Sequence, residues 1–285
     1  MITDDHTNLL FLSELLKGRE QFLYQLIHIL NQRAITYRFL PSTNDIWAVD
    51  YMPIQKDLDK FILFKYEPDY LQNDEFILTQ TNTKTVCKSI GLSTIDSNIK
   101  IDGGNVIKGN NWVILTDKIF KENADFEKND LITELENLFE VKVIIIPQEP
   151  FDFTGHADGI VRYYNSDTVL INSYKPTDKK EFQKRLTKEL RSQGLWAIEI
   201  PYNPYDNGNY DLADGLYINY LQMENFILLP TFNKTEDEKA YRQFQQLFPR
   251  QIIETVDSRD ISRDGGVLNC ITWNIKVSTL GDHGK

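Results

Sequence analysis

A unit of one helix followed by one strand recurs along this 285-residue chain about every 55 residues, and this repeat most constrains the fold. In each unit, apolar residues at helical spacing predict an amphipathic helix, and a β-favouring run stopped by polar or turn residues predicts a strand. The predicted helices lie at 19–32, 83–91, 131–139, 182–190 and 235–247, and the strands after them at 35–40, 98–101, 141–146, 196–200 and 251–256. Further β-like runs lie between the units, at 60–66, 112–116, 160–164, 168–172, 216–220 and 225–230.

A fixed period of this size is typical of repeated modules arranged around an axis rather than of two unrelated domains. Each module reads as one or two strands, a helix and a further strand, so we expect residues 1–285 to form a single catalytic domain of five modules. An ordinary mixed α/β protein with evenly spaced helices is the alternative that periodicity alone leaves open. Thr235-Glu236-Asp237-Glu238 matches a capping box that would begin the fifth helix.

The composition argues against several classes of function. A net charge of -11 does not suit a general nucleic-acid binder, which needs a basic surface, but it suits a cationic small substrate. Two cysteines give neither a disulfide framework nor a Cys-x-x-Cys metal pair, and the four histidines are too scattered for an obvious zinc motif. The sequence has no secretory leader and no apolar run of about 18 residues, so we expect a soluble cytoplasmic protein without membrane contact.

Four of the five loops that follow the predicted strands carry side chains suited to catalysis. They hold Asp50, Asp102, His156 with Asp158, and Cys270, and glycine or tryptophan stands close by in each case. Loops on a rigid scaffold are where binding and catalytic residues usually lie. If the modules close into a ring, we expect these loops to converge on one opening.

Cys270 follows the paired glycines Gly265 and Gly266 and precedes a β-favouring run. A thiolate is a strong nucleophile, and glycines before it let the backbone turn sharply beside a ligand. A buried, unreactive cysteine is the more common case, and Cys87, on a predicted helix face, fits that description. Cys270 is therefore the candidate nucleophile, with an unreactive thiol as the open alternative.

His156 and Asp158 stand two residues apart, so in an extended segment both would face the same ligand. A histidine suits a proton shuttle because its ordinary pKa lies near neutrality. Asp50 and Asp158 together suit a planar cation, since carboxylates match the donor fork of a guanidinium group. A histidine satisfied within a turn and two solvated aspartates are the plain alternatives. A serine hydrolase does not fit, because the sequence has no Gly-x-Ser-x-Gly elbow.

Five segments in chain order resemble motifs of the guanidine-modifying, or pentein, superfamily, in the branch that holds agmatine deiminase and bacterial peptidylarginine deiminase. The segments are Trp47-Ala48-Val49-Asp50 (family motif Trp-x-Arg-Asp), Asp102-Gly103-Gly104-Asn105 (Glu-Gly-Gly-Asn), Gly155-His156-Ala157-Asp158 (Gly-His-x-Asp), Tyr217-Ile218-Asn219-Tyr220 with the following run Phe226–Pro230, and Gly265–Thr272 (Gly-Gly-x-Ile-His-Cys-Ile-Thr). The resemblance implies a five-bladed α/β propeller of ββαβ modules around a pseudo-fivefold axis, which agrees with the repeat.

The resemblance also implies a role for each of the five loop residues. Cys270 would attack the guanidinium carbon, and His156 would protonate the departing ammonia and then deprotonate the hydrolytic water. Asp50 and Asp158 would hold the guanidinium nitrogens, while Asp102, in the place of the family's Glu, would orient His156. Neither a metal nor an organic cofactor is implied, because the substrate carries the electrophile and the protein carries the nucleophile.

Three further residues are implied to serve the substrate, namely Trp47, Asn219 and Thr272. Asn219 would position the substrate, and Thr272 would also support the cysteine loop. The long loop 201–215, rich in tyrosine and aspartate, is the candidate lid or specificity element. The expected partner is a small cationic guanidine or an arginine side chain, with no nucleic acid and no membrane, and the sequence leaves homo-oligomer formation open.

Three positions depart from the family pattern. Val49 replaces the motif's arginine, Asn269 replaces the histidine that often precedes the cysteine, and Asp102 is a methylene shorter than Glu, so we expect its contact with His156 to be longer. The expected activity is a deiminase that hydrolyses agmatine, arginine or a related guanidine to a ureido product and ammonia through a covalent cysteine amidino intermediate. The alternatives are an amidinotransferase with the same intermediate and a catalytically silent guanidine-binding homologue.

Overall fold

Five β-sheets of three strands each form the framework of the protein in a computed structural model that describes residues 1–150, 152–174, 179–203 and 212–278. In every sheet the middle strand pairs antiparallel with one neighbour and parallel with the other. In chain order the strands are β1 (Leu9–Ser13), β2 (Tyr37–Leu40), β3 (Ile54–Asp57), β4 (Lys60–Lys65), β5 (Ile95–Lys100), β6 (Ile107–Lys108), β7 (Trp112–Thr116), β8 (Lys142–Ile146), β9 (Val161–Tyr163), β10 (Thr168–Asn172), β11 (Trp196–Ile200), β12 (Leu221–Met223), β13 (Phe226–Thr231), β14 (Ile252–Asp257) and β15 (Thr272–Ile275).

Helices connect each middle strand to its parallel partner, as a parallel pair requires, and this gives a ββαβ module. The helices of the described residues are α1 (Glu20–Gln32), α2 (Ala48–Tyr51), α3 (Thr83–Ser89), α4 (Lys118–Glu122), α5 (Lys128–Phe139), α6 (Lys180–Ser192), α7 (Glu236–Leu247) and α8 (Arg259–Ser262). The long helices bury one apolar face, such as Phe22, Leu26 and Leu30 of α1, against the sheets. None of these described helices combines the length and the apolar character that a membrane crossing needs.

The first module is completed by the other end of the chain. Strand β15 supplies its antiparallel strand, with Leu9 opposite Ile275 and Leu12 opposite Thr272. The sheets follow one another as β15-β1-β2, β3-β4-β5, β6-β7-β8, β9-β10-β11 and β12-β13-β14. The prediction of five ββαβ modules is confirmed.

Two local predictions were wrong. Thr235 does not form a capping box, because its hydroxyl contacts Glu236, while the Asp237 carboxylate accepts hydrogen bonds from the backbone N–H groups of Phe232 and Lys234 at 3.0 Å and 3.1 Å. The run 216–220 is not a strand, since the backbone N–H of Asn219 donates back to Leu216 at 3.3 Å and forms a turn. Its apolar residues are buried, so it looked β-like, but its turn directs Asn219 to the site described below.

Candidate active site

One cavity of about 420 Å³ lies where the loops after β2, β4, β8, β11 and β14 meet. Six of the eight predicted site residues line it, namely Trp47, Asp50, His156, Asp158, Asn219 and Cys270. Asp102 lies behind His156, and Thr272 is buried in β15, where its hydroxyl donates to the carbonyl of Leu268 at 2.8 Å. Thr272 therefore supports the cysteine loop from inside and does not line the cavity, contrary to the substrate-binding prediction.

Asn219 contacts both the thiol and the backbone of Cys270. Its Nδ2 group lies 3.2 Å from Cys270 Sγ, and its Oδ1 atom accepts a hydrogen bond of 3.3 Å from the Cys270 backbone N–H. Burial, together with the nearby Asp158 and Asp50 carboxylates, raises the pKa of the Cys270 thiol well above its ordinary value. The thiol is therefore protonated at neutral pH in this structure.

Gly266 lets the cysteine loop pack closely against Trp47. A Cβ atom at Gly266 would lie 2.5 Å from Trp47 Cζ3 and 3.0 Å from Cys270 Cβ, closer than real side chains come. Any larger residue would push the indole ring or the nucleophile out of place. Gly266 thus permits close packing around the thiol.

Asp158 has one oxygen occupied by the protein and one without a protein partner. Its Oδ2 atom accepts hydrogen bonds from Asn269 Nδ2 at 2.7 Å and from Asn219 Nδ2 at 3.0 Å, and Cys270 Sγ lies 3.5 Å away. Within the described residues, Oδ1 has no hydrogen bond from another protein group. Sequence reasoning missed this role of Asn269, which acts on a residue 111 positions away.

The conformation around Asp158 differs from the prediction. Residues Ala157–Gly159 form a 3₁₀ turn rather than an extended segment, with only His156 in the extended region. His156 and Asp158 both line the cavity, but His156 contacts Asp102 and Asp158 contacts Asn219. The prediction that both residues lie at one site therefore agrees with the structure, but the extended conformation from which it was argued was wrong.

His156 lies between two buried carboxylates. Its Nε2 atom is 2.9 Å from Asp102 Oδ2, and its Nδ1 atom is 3.5 Å from Asp50 Oδ1. Burial alone would lower the pKa of His156, but Asp50 and Asp102 outweigh it and raise the pKa to about 9. The contact to Asp102 has an ordinary length, so the predicted lengthening was wrong. Burial also raises the pKa of Asp50 to about 8.

Gly104 allows this close approach of Asp50 and His156. Its backbone N–H donates to Asp50 Oδ1 at 3.1 Å. A Cβ atom at this position would lie 2.5 Å from Asp50 Oδ1 and 2.7 Å from His156 Nδ1. Only glycine therefore fits where the Asp-Gly-Gly-Asn segment passes under the two side chains.

Two residues behind His156 were not indicated by any sequence motif. Lys118 Nζ lies 3.2 Å from Asp102 Oδ2, and the Tyr70 hydroxyl lies 3.3 Å from the same oxygen. With the help of Lys118, His156 holds the pKa of Asp102 below its ordinary value against the opposing effect of burial. Asp102 is thus an ionised group beneath the imidazole ring.

The cavity wall is strongly acidic. Its described lining includes seven carboxylates, those of Asp45, Asp50, Glu149, Asp152, Asp158, Asp214 and Asp264. The lysine among the lining residues, Lys179, is held by Glu149 at 2.5 Å. Burial and the charge of Asp264 raise the pKa of Asp45 to about 6, since only the backbone N–H of Ile46 opposes them. Of the predicted lid, Tyr202 lines the cavity and 204–211 lies outside the described residues.

Metal binding is not indicated by these side chains. Within the described part of the chain, no group of three or more His, Cys, Asp or Glu residues is arranged to hold an ion. The arrangement instead places a thiol, an imidazole and two carboxylates around one space. This set can hold a cation, attack it with sulfur and move a proton.

A family model and several known proteins match this chain. The model described as Porphyromonas-type peptidyl-arginine deiminase matches residues 13–275. A Streptomyces avermitilis protein, provisionally named agmatine deiminase, is 25% identical over 205 residues, which are 64% of this chain and 59% of that protein. A Streptomyces coelicolor protein with the same provisional name is 24% identical over 60% of this chain and 56% of its own length. The chain thus spans less than two thirds of the length of these curated relatives.

Solved structures show the same fold. The C. jejuni agmatine deiminase superposes with a TM-score of 0.80 at 17% identity, covering 97% of this chain and 96% of that one. The agmatine deiminase of Enterococcus faecalis gives a TM-score of 0.79 at 14% identity, with the same coverage. The predicted five-bladed α/β propeller is confirmed by these likenesses.

Proposed function

Because the chain belongs to the Porphyromonas-type peptidyl-arginine deiminase family, we propose that it hydrolyses a guanidine to a ureido product and ammonia. The observation that carries this proposal is the placement of the Cys270 thiol beside Asp158 and Asn219, in one cavity with His156 and Asp50. A thiol for attack, an imidazole for proton transfer and two carboxylates for a planar cation are the groups that this reaction needs.

Binding of the substrate activates the nucleophile in this proposal. The guanidinium group lies between Asp50 and Asp158 and takes the carboxylate oxygens that protein donors leave open. Its positive charge offsets the two carboxylates that raise the pKa of Cys270. The thiol then gives its proton to solvent, and the resulting thiolate lies next to the guanidinium carbon.

The first half of the reaction releases ammonia. The thiolate donates an electron pair to the guanidinium carbon, a C–S bond forms, and the carbon becomes tetrahedral. His156, charged between its two carboxylates, gives a proton to one terminal nitrogen. The C–N bond breaks with its electron pair on nitrogen, and ammonia leaves and takes a proton from solvent to become ammonium. An N-alkylamidino group remains bound to the Cys270 sulfur.

The second half regenerates the thiol. A water molecule loses a proton to the now neutral His156 and adds its oxygen to the amidino carbon. The tetrahedral adduct collapses, and the C–S bond breaks with its electrons on sulfur. The proton of the added hydroxyl group passes to the sulfur, the C=O bond of the ureido product forms, and the product leaves. The overall change is one guanidinium group and one water converted to one ureido group and one ammonium ion, so atoms and charge balance.

The charge of the cavity favours a guanidine that carries a second amine. Seven lining carboxylates face one lysine that Glu149 already holds, so a substrate carboxylate would meet repulsion. The Asp264 carboxylate repels that of Asp45 although Arg19 binds Asp264, so an ammonium group beside Asp45 would relieve the repulsion. Agmatine has this charge pattern, whereas free arginine adds a carboxylate next to its amine. Agmatine is therefore the proposed substrate.

Ammonia release from agmatine, arginine and an arginine-containing peptide tests the proposal. We expect ammonia and a ureido product in equal amounts with agmatine, and much less with arginine. Ammonia release that does not exceed that of the Cys270→Ser variant for any of the three would refute hydrolysis. A new guanidino product in the presence of glycine or ornithine, without ammonia, would instead identify an amidinotransferase.

A further inference from the structure

Lys118, the first residue of α4, is a buried cation that the proposed mechanism does not use. Its side chain is 4% exposed, and its Nζ atom lies 3.2 Å from Asp102 Oδ2 and 3.0 Å from Glu122 Oε1. The ammonium group also lies 4.7 Å from the centre of the Tyr70 ring. Burying a lysine costs free energy because its ammonium group loses water. The two buried carboxylates offset this cost and keep the ammonium group charged and in position.

Lys118 and His156 share a single oxygen atom. Asp102 Oδ2 lies 2.9 Å from His156 Nε2, 3.2 Å from Lys118 Nζ and 3.3 Å from the Tyr70 hydroxyl. On its other side, His156 Nδ1 faces Asp50 at 3.5 Å. Without Lys118, the imidazole would stand between two buried carboxylates and lose this neighbouring positive charge.

The charges around this pair come from several elements of the fold. His156 is faced by Asp50 of α2, Asp102 before β6 and Lys118 of α4, with Asp158 two residues along the chain. The Tyr70 hydroxyl also lies 3.5 Å from His156 Nε2. Around Lys118 stand Asp102, Glu122 on the next turn of α4, and Asp69 at 3.6 Å, whose other oxygen binds the exposed Lys121. Lys118 thus brings a positive charge to His156 through the Asp102 carboxylate.

We propose that Lys118 is a positioning residue for His156, whose ammonium shares Asp102 Oδ2 with the imidazole and so lets His156 release its proton. A histidine that serves first as an acid and then as a base must give up its proton readily. The two carboxylates raise the pKa of His156, and the charge of Lys118 opposes them. The structural part of this inference is independent of the reaction, and only its kinetic part rests on the proposed function.

A proton NMR titration of the histidines tests the structural part on the full-length protein. The chain has four histidines, so the His156 resonance is the one missing from a His156→Gln variant. In Lys118→Met we expect the pKa of His156 to rise by about one unit, because a neighbouring cation is lost. In Glu122→Gln we expect the pKa of His156 to fall, because the Lys118 ammonium then balances Asp102 without sharing its charge with Glu122.

Lys121→Met is the matched control, since Lys121 lies on the same helix and binds Asp69 but is 77% exposed. It should leave the His156 titration unchanged. An unchanged or lowered pKa of His156 in Lys118→Met would overturn the proposal. If Lys118→Met does not fold, Glu122→Gln decides, since an unchanged or raised pKa there would also overturn it.

The kinetic part is the pH profile of kcat for ammonia release. We expect the optimum of Lys118→Met to move about one pH unit to the alkaline side, with kcat at neutral pH about tenfold lower and KM changed less than threefold. Lys118→Arg, which keeps the charge, should restore most of kcat. A loss of equal size at every pH would mean that Lys118 only supports the fold. Absence of ammonia release in the wild type would refute the deiminase and leave the titration as the test.

Discussion

Replacement of Asp158 by asparagine tests how the site holds a guanidinium group. Asp158 Oδ2 accepts from Asn269 Nδ2 at 2.7 Å and from Asn219 Nδ2 at 3.0 Å. Because both neighbours are amide donors, the new NH₂ group cannot occupy the Oδ2 position and must turn to the cavity. The variant therefore presents a donor to the donors of the guanidinium group, while the overall shape of the site is kept.

The size of the effect follows from the hydrogen bonds that the asparagine cannot make to the cation. A hydrogen bond to a charged group contributes about 1.5–3 kcal/mol, and an unpaired or opposed donor costs about 1 kcal/mol more. A loss of about 3 kcal/mol corresponds to roughly a 150-fold decrease in kcat/KM. We expect KM to rise and kcat to fall together, because Asp158 both binds the cation and orients it toward sulfur.

Two assays on the same variant should change in opposite directions. Ammonia release from agmatine should fall, whereas alkylation of Cys270 by iodoacetamide in the free protein should become faster at a fixed pH. After burial, the Asp158 charge is the largest cause of the raised pKa of Cys270, so its removal yields more thiolate. Slower or unchanged alkylation would contradict this account of the thiol.

Asp152→Asn is the matched control. This carboxylate lines the same cavity but accepts hydrogen bonds from Thr154, with its Oδ1 atom 2.9 Å from the backbone nitrogen and 2.7 Å from the hydroxyl. Its loss removes the same charge from the wall without touching the thiol, and we expect less than a threefold change in kcat/KM. An unchanged kcat/KM in Asp158→Asn, or equal losses in both variants, would refute the proposed clamp.

Three other predictions concern the nucleophile, the glycine turn and pH. Cys270→Ser should abolish ammonia release without lowering Tm, while Cys87→Ser, whose thiol is buried in a core cluster, should keep turnover; equal losses would contradict the assignment. Gly104→Ala should destabilise the fold by about 1–3 kcal/mol in urea unfolding and remove activity, because its Cβ would meet Asp50 and His156, and full activity would refute this. The folded-state pKa values of His156 and Asp50, about 9 and about 8, exceed their unfolded values, so the folded protein binds both protons more tightly than the unfolded chain does. The stability that this tighter proton binding contributes is lost as pH rises. We therefore expect Tm to fall between pH 6.5 and 9, and to fall less in His156→Gln; a Tm that rises over this range would contradict the signs.

The modular fold was predictable because its signals are local. The runs 112–116, 168–172 and 196–200 coincide with β7, β10 and β11, since a short apolar or β-branched run bounded by turn residues is typical of a buried strand. Strand β1 was missed because its residues are all buried and show no alternation, and because its partner β15 lies at the other end of the chain. Pairing over such a distance leaves no periodic signal in either segment.

Only those site residues whose type and loop position suggest a catalytic role could be predicted from the sequence. Cys270, His156 and Asp158 are unusual choices for glycine-rich loops, and a ring of modules brings such loops together. Lys118 gives no comparable signal, because a lysine at the start of a short helix is usually a solvated side chain. Its burial depends on the exact position of Asp102 Oδ2, which only the packed structure provides.

Three groups that line the cavity resist taking up a negative charge. The pKa values of Cys270, Asp50 and Asp45 are all raised, by burial first and then by neighbouring carboxylates. A protein selected for stability alone would separate these charges or pair them with a cation of its own, as it pairs Glu149 with Lys179. In the proposed mechanism, a bound cation offsets the repulsion left in the site and makes the sulfur a thiolate. The stability given up in the empty protein would then be recovered as affinity for a cationic substrate and as reactivity at Cys270.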